Sequence, residues 1–109
     1  MSNTETLLVI SGSPRKPSRT RELAEYAVHT ANETQLRAEL LDLGERHLEL
    51  FDDRAFSDYN GKTRDAIRTV LDAEHYLVVS PVYYGGIPGV LKNLVDLLPY
   101  EEMRAAQRT

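Results

Sequence analysis

The spacing of apolar residues changes repeatedly along this chain, and each change predicts a new element. Thr6–Ser11 (TLLVIS) is a continuous apolar run, the pattern of a parallel strand covered on both faces. Over residues 18–32, Leu23, Ala24, Ala27, Val28 and Ala31 share one stripe at a helical period. Residues 35–43 alternate through Leu36, Ala38 and Leu40, which predicts a second strand. Ile67, Val70 and Leu71 then fall together on a helix over 62–73, and 75–80 (HYLVVS) reads as a third strand. Over 90–98, Leu91, Leu94, Val95 and Leu98 align at helical spacing, with Pro99 ending the helix. Strands alternating with helices predict right-handed βαβ units around a parallel sheet, an α/β doubly wound fold.

Residues 44–61 fit neither period. Asp52, Asp53, Asp58 and Asn60 are turn formers, whereas Leu48, Leu50 and Phe51 are apolar. Two readings stay open: a packed loop that covers a ligand or a partner subunit, or a mobile surface connection.

Composition narrows the function classes. At 109 residues the chain is one domain at most, assigned over 1–109. A net charge of −4 argues against general nucleic-acid binding, which needs a basic face. The absence of cysteine excludes disulfides and thiolate chemistry. Neither a leader-like start nor a membrane-length apolar run is present, so no membrane association and a cytoplasmic location are the expectations. His29, His47 and His75 lack metal-ligand spacing, and the scattered carboxylates offer no acid–base pair. No catalytic or metal-binding residue is assigned.

Chemistry concentrates at two strand exits. In open α/β sheets, ligands bind in the crevice beyond the carboxyl ends of the strands. The first exit, GSPRKPSRT at 12–20, carries the hydroxyls of Ser13, Ser18 and Thr20 and the cations Arg15 and Lys16. Ser18 is the predicted N-cap, which leaves Arg19 and Arg21 in a first helical turn where the dipole disfavours cations. An anion held at that helix terminus would resolve the conflict. The loop matches neither a Walker loop nor the GxGxxG fingerprint, and its hydroxyls suit a phosphomonoester. The plainer alternative is a capped turn with solvated basic residues.

The second exit, 79–95 (VSPVYYGGIPGVLKNLV), pairs Pro81, Val82, Tyr83 and Tyr84 with a glycine-rich turn. These residues supply an apolar and aromatic wall, and the backbone N–H groups of Gly85 and Gly86 lie open to a ring carbonyl or nitrogen. Its plainer alternative is half-buried tyrosines beside a turn. Lys92 and Asn93 read as capping or surface residues. A phosphate loop beside a ring loop points to one flat-ringed mononucleotide, FMN.

At these loops the chain resembles the NADPH-dependent FMN reductase family. The resemblance rests on Gly12-Ser13-Pro14-Arg15-x-x-Ser18-x-Thr20 and on the run from Pro81 to Asn93, with LELFDD at 48–53 as support. It implies a flavodoxin-like fold with strand order 2-1-3-4-5. It further implies FMN as cofactor and NADPH (or NADH) as hydride donor. Ser13, Arg15, Ser18 and Thr20 would bind the FMN phosphate, and Pro81, Val82, Tyr83, Tyr84 and Gly85 would line the ribityl chain and ring. By the same resemblance the protein is a homodimer or homotetramer acting on a small-molecule electron acceptor. DLLP at 96–99 resembles members that pass reduced FMN to a flavin-dependent monooxygenase.

A βαβ unit takes roughly thirty residues, so five strands need on the order of 150. Only three of the five strands are legible here, with strand 3 left as a bare edge, and the expectation is a chain truncated after its third βα unit. Two rivals remain at this stage: a flavodoxin-like non-enzymatic electron carrier, and an inactive fragment.

Overall fold

The computed structural model describes residues 5–99. Its elements run β1 (Thr6–Ser11), α1 (Arg19–Asn32), β2 (Arg37–Asp42), a short 3-10 turn (Phe56–Asp58), α2 (Gly61–Asp72), β3 (His75–Val79) and α3 (Gly89–Leu97). The three strands form one parallel sheet in the order β2-β1-β3. Val9 of β1 pairs with Leu40 on one side and with Leu77 on the other. After β2 the chain reverses its direction of travel across the sheet. Crossovers of one hand then require α1 and α2 to lie on opposite faces.

Side-chain alternation along β1 sorts the two layers. Leu8 and Ile10 face a core with Leu41, Leu43, Ala66, Val70, Leu91 and Leu94, contributed by β2 and the residue after it, α2 and α3. Val9 points the other way, toward the face where α1 packs and buries Ala24 and Ala31. Small residues let α1 sit close to the strands.

Several periodic positions behave differently from their pattern. Leu23 of α1 is exposed and only Ala24 and Ala31 are buried, so the buried stripe is narrower than the spacing predicts. On α3 the buried set is Leu91, Leu94 and Leu97, while Val95 faces outward. β2 is two residues shorter at its start and one at its end than its apolar pattern, and it buries Leu41 and Ala38 on opposite faces. β3, like β2, is an outer strand, with Tyr76, Leu77 and Val78 at 45%, 42% and 48% exposure. Its apolar run has a sheet neighbour on one side only.

The 44–60 segment packs. Thr63 Oγ1 accepts the Glu49 N–H at 2.9 Å. The Asn93 side chain grips the same segment twice, donating to the Glu49 carbonyl at 3.0 Å and accepting from the Phe51 N–H at 2.8 Å. Arg54 forks onto both oxygens of Asp52 at 2.7 Å and lies over the ring of buried Tyr59. Leu48 joins the core, but Leu50 and Phe51 are exposed. Of the three apolar residues that predicted packing, only Leu48 packs; polar clamps hold the rest. No described helix is long and apolar enough to cross a membrane.

Candidate functional site

The carboxyl ends of β1 and β3 meet where the strand order reverses. There the Gly12 N–H donates to the Val79 carbonyl at 2.8 Å, binding the starts of the two predicted loops together. A cleft of about 450 Å3 opens beside this junction. Ser13, Arg15, Ser18 and Thr20 line it from the first loop, and Pro81 and Tyr83 from the second. Pro17, Arg19 and Glu22 complete its wall. Six predicted residues therefore share one cavity, with Arg15 and Tyr83 on the same side of the molecule.

Local hydrogen bonding shapes the first loop. Ser13 is buried at 4% exposure, and its Oγ accepts the Arg15 N–H at 3.2 Å. Ser18 caps α1 by accepting the Arg21 N–H at 3.1 Å. A hydroxyl that accepts still keeps its own hydrogen to donate, so both serines retain a donor. The Arg19 and Thr20 N–H groups belong to the first turn, where no helical carbonyl can reach them. Among the described residues, Arg15, Lys16 and Arg19 form no ion pair. Donors, cations and a helix N-terminus converge here, a donor set that fits a phosphate.

Arg21 behaves differently from its sequence expectation. Its guanidinium turns away to Asp42 Oδ2 at 2.8 Å, to Glu25 at 3.3 Å and to Glu45. Its hydrogen bond to Glu45 raises the Arg21 pKa and holds the Glu45 carboxyl below the usual glutamate range. Three carboxylates offset the Arg21 charge at this position. The i,i+4 spacing of Arg21 and Glu25 signals part of this network. Asp42 and Glu45 carry no such signal, because only the fold brings the end of β2 beside the start of α1.

The second loop folds as a tight hairpin. Tyr83 and Gly86 exchange N–H and carbonyl bonds, each 2.9 Å, around Tyr84 at φ 51° and Gly85 at φ 77°. Two successive positive φ angles define a type I′ turn, which glycine enters freely and tyrosine at some cost. The Gly86 N–H is therefore consumed inside the turn, contrary to its expected role toward a ring. The Gly85 N–H stays at the tip. Tyr84 projects fully into solvent, Val82 is largely exposed, and neither these two nor Gly85 lines the cleft. Asn93 is a clamp for the 44–60 segment, and Lys92 forms a surface pair with Asp96 at 2.6 Å.

Comparison with known proteins identifies the family and the fold. The family model for NADPH-dependent FMN reductase matches residues 6–108. An NAD(P)H-dependent FAD/FMN reductase of Geobacillus thermodenitrificans is 39% identical over 66 residues, covering 61% of this chain and 36% of that protein. An NADPH azoreductase of Bacillus sp. (strain OY1-2) is 33% identical over 97 residues, covering 88% of this chain and 51% of that protein. A solved structure of an NADH:FMN oxidoreductase in its apo form superposes with a TM-score of 0.72 at 29% identity, covering 88% of this chain and 51% of that one. The chain spans about half the length of that azoreductase and of the solved oxidoreductase. Its parallel sheet, its strand order and this structural likeness make the fold flavodoxin-like, and the chain belongs to the NADPH-dependent FMN reductase family.

Proposed function

We propose that this chain carries the phosphate-and-ring site of an FMN-dependent NAD(P)H oxidoreductase of flavin reductase type. The observation that carries the reading is the single cleft at the β1/β3 reversal, with hydroxyls and free cations at one end and Pro81 and Tyr83 at the other. The reversal between β1 and β3 is where flavodoxin-like sheets seat FMN. Residues 1–109 are read as the N-terminal part of the FMN-binding domain.

Ser13, Ser18 and Thr20 donate to the phosphate, and Arg15 supplies its counter-charge, with Arg19 beside it. Pro81 and Tyr83 flank the ribityl chain, while Val82, Tyr84 and Gly85 meet the ring from the turn. Bound FMN supplies the hydride chemistry between a nicotinamide and an acceptor, and the protein supplies orientation and electrostatics. The exposed Tyr84 and Val82 suit a site that a second subunit closes, in a homodimer or homotetramer. The partners are a small-molecule acceptor and NADPH or NADH; a monooxygenase that takes up reduced FMN is the macromolecular candidate.

The test is a fluorescence titration of the 109-residue chain with FMN and with riboflavin, followed by NADPH oxidation at catalytic FMN. Preference for FMN together with NADPH consumption supports the reading. FMN binding without NADPH consumption assigns the chain to the electron-carrier class instead. No FMN binding overturns the site.

A further inference from the structure

We infer that the turn after β2, built on Asp42 and Gly44, is a positioning element that sets the shape of the phosphate loop from behind. This rests on the reading of that loop as the FMN phosphate site. The turn touches the loop at one end and the first turn of α1 at the other, without lining the cleft.

At the first end, Gly44 is buried so close to the loop that a Cβ placed there would lie 2.8 Å from the Ser13 carbonyl oxygen and 3.6 Å from that of Arg15. A contact of 2.8 Å with backbone cannot be relieved by turning a side chain, so any residue but glycine pushes the Ser13–Arg15 peptides toward the cleft. At the second end, Asp42 bridges the turn and the helix. Its carboxylate is 7% exposed, with Oδ1 accepting the Gly44 N–H at 3.0 Å and Oδ2 accepting from Arg21 Nη1 at 2.8 Å. Arg21 sits in the first turn of α1, and its N–H rests on the Ser18 hydroxyl. The Asp42 carbonyl also accepts from the Arg46 N–H at 2.9 Å, and the Leu43 N–H extends the ladder to the Ser11 carbonyl at 3.0 Å, so the turn is itself fixed.

One buried carboxylate therefore couples the approach of Gly44 at Ser13 to the orientation of the Ser18 cap. This gives a test with a telling sign. Asp42 carries negative charge behind an anion site, so by simple Coulomb repulsion its removal tightens phosphate binding. As a positioning group, its removal loosens it.

The experiment measures FMN and riboflavin affinities for the wild type, G44A and D42N, with amide hydrogen exchange in the ligand-free proteins. Riboflavin lacks the phosphate and controls for the ring site and for general unfolding. The expected result is an FMN affinity about tenfold weaker in each variant, the size of losing one charge-assisted hydrogen bond, with riboflavin changed less than about twofold. Exchange at the Arg15 amide is expected to quicken in both variants while β1 amides stay protected. Should G44A fail to fold, the isosteric D42N decides alone. Variants that keep the wild-type ratio of FMN to riboflavin, or a D42N that binds FMN more tightly, overturn the inference and leave the site reading intact. A wild type with no preference for FMN over riboflavin overturns both.

Discussion

Ser18 separates two roles that one side chain performs, and three proteins distinguish them: wild type, Ser18→Ala and Ser18→Asp. As N-cap, its Oγ accepts the Arg21 N–H at 3.1 Å. Removing such a cap costs about 1 kcal/mol, which for a domain of this size lowers Tm by about 4 °C. Ser18 also lines the cleft and keeps a hydrogen to donate there, and losing a hydrogen bond to a charged phosphate costs roughly 1.5–3 kcal/mol, or about tenfold or more in FMN affinity. Aspartate caps a helix as well as serine and adds a favourable charge to the dipole, so S18D is expected to melt at or above the wild-type temperature. The same carboxylate about 4 Å from a phosphate is repelled by roughly 4 kcal/mol at an effective dielectric near 20. S18D is therefore expected to lose FMN by on the order of a hundredfold or more while remaining the most stable of the three. Thermal melts and paired FMN and riboflavin titrations read both axes. An S18D that melts like S18A refutes the cap, and one that binds FMN like wild type refutes the anion site.

Leu94 is buried in the core of the α2/α3 face, and Leu94→Ala is expected to cost about 2–5 kcal/mol by urea denaturation, a large share of a total of roughly 5–15. Tyr84 holds a positive φ while exposed, so Tyr84→Asn, a residue tolerant of that region, is expected to raise stability by up to about 1 kcal/mol; a loss shows that the ring makes a contact. Tyr76 donates its hydroxyl to the Val70 and Ala73 carbonyls, and burial pushes its pKa above 10.0. With the folded pKa above the unfolded one, that contribution is complete below pH 10 and is lost as pH climbs through the folded value; Tyr76→Phe is expected to flatten the alkaline limb of a Tm–pH curve. Arg54 holds Asp52, and Arg21 holds Glu45, below their ordinary carboxylate values of 3.8 and 4.5, so stability is expected to fall as pH drops below that range, and less so in Glu45→Gln.

Legibility followed the range of the interactions. The strands and the Ser18 cap were readable because hydrophobic period and capping are local, and the meeting of two loops at one cleft followed from the strand exits. The bare β3 edge followed from counting strands. The role of Asn93 was not readable: its partners Glu49 and Phe51 lie far away in sequence, and nothing in a helical asparagine announces a clamp. Arg21 misled for the same reason, since only the fold brings the end of β2, with Asp42, beside the start of α1. Leu97 was missed because Val95 offered an equally good helical spacing, and only the placement of the 44–60 segment and α2 chooses between them. The fate of the Gly86 N–H depended on turn type, which composition alone leaves open.

The two ladders of the sheet differ in what they demand of a newly made chain. β1 meets β2 across one short helical excursion, Thr6 opposite Arg37, whereas Leu7 must wait for His75. Closing the longer loop carries the larger entropy cost, so the β1-α1-β2 unit is expected to assemble before β3 docks. The cleft exists only once that last rung is in place, so on the proposed reading a flavin supplied during refolding is expected to be held only by molecules that have finished, and to draw stragglers toward the native state by mass action.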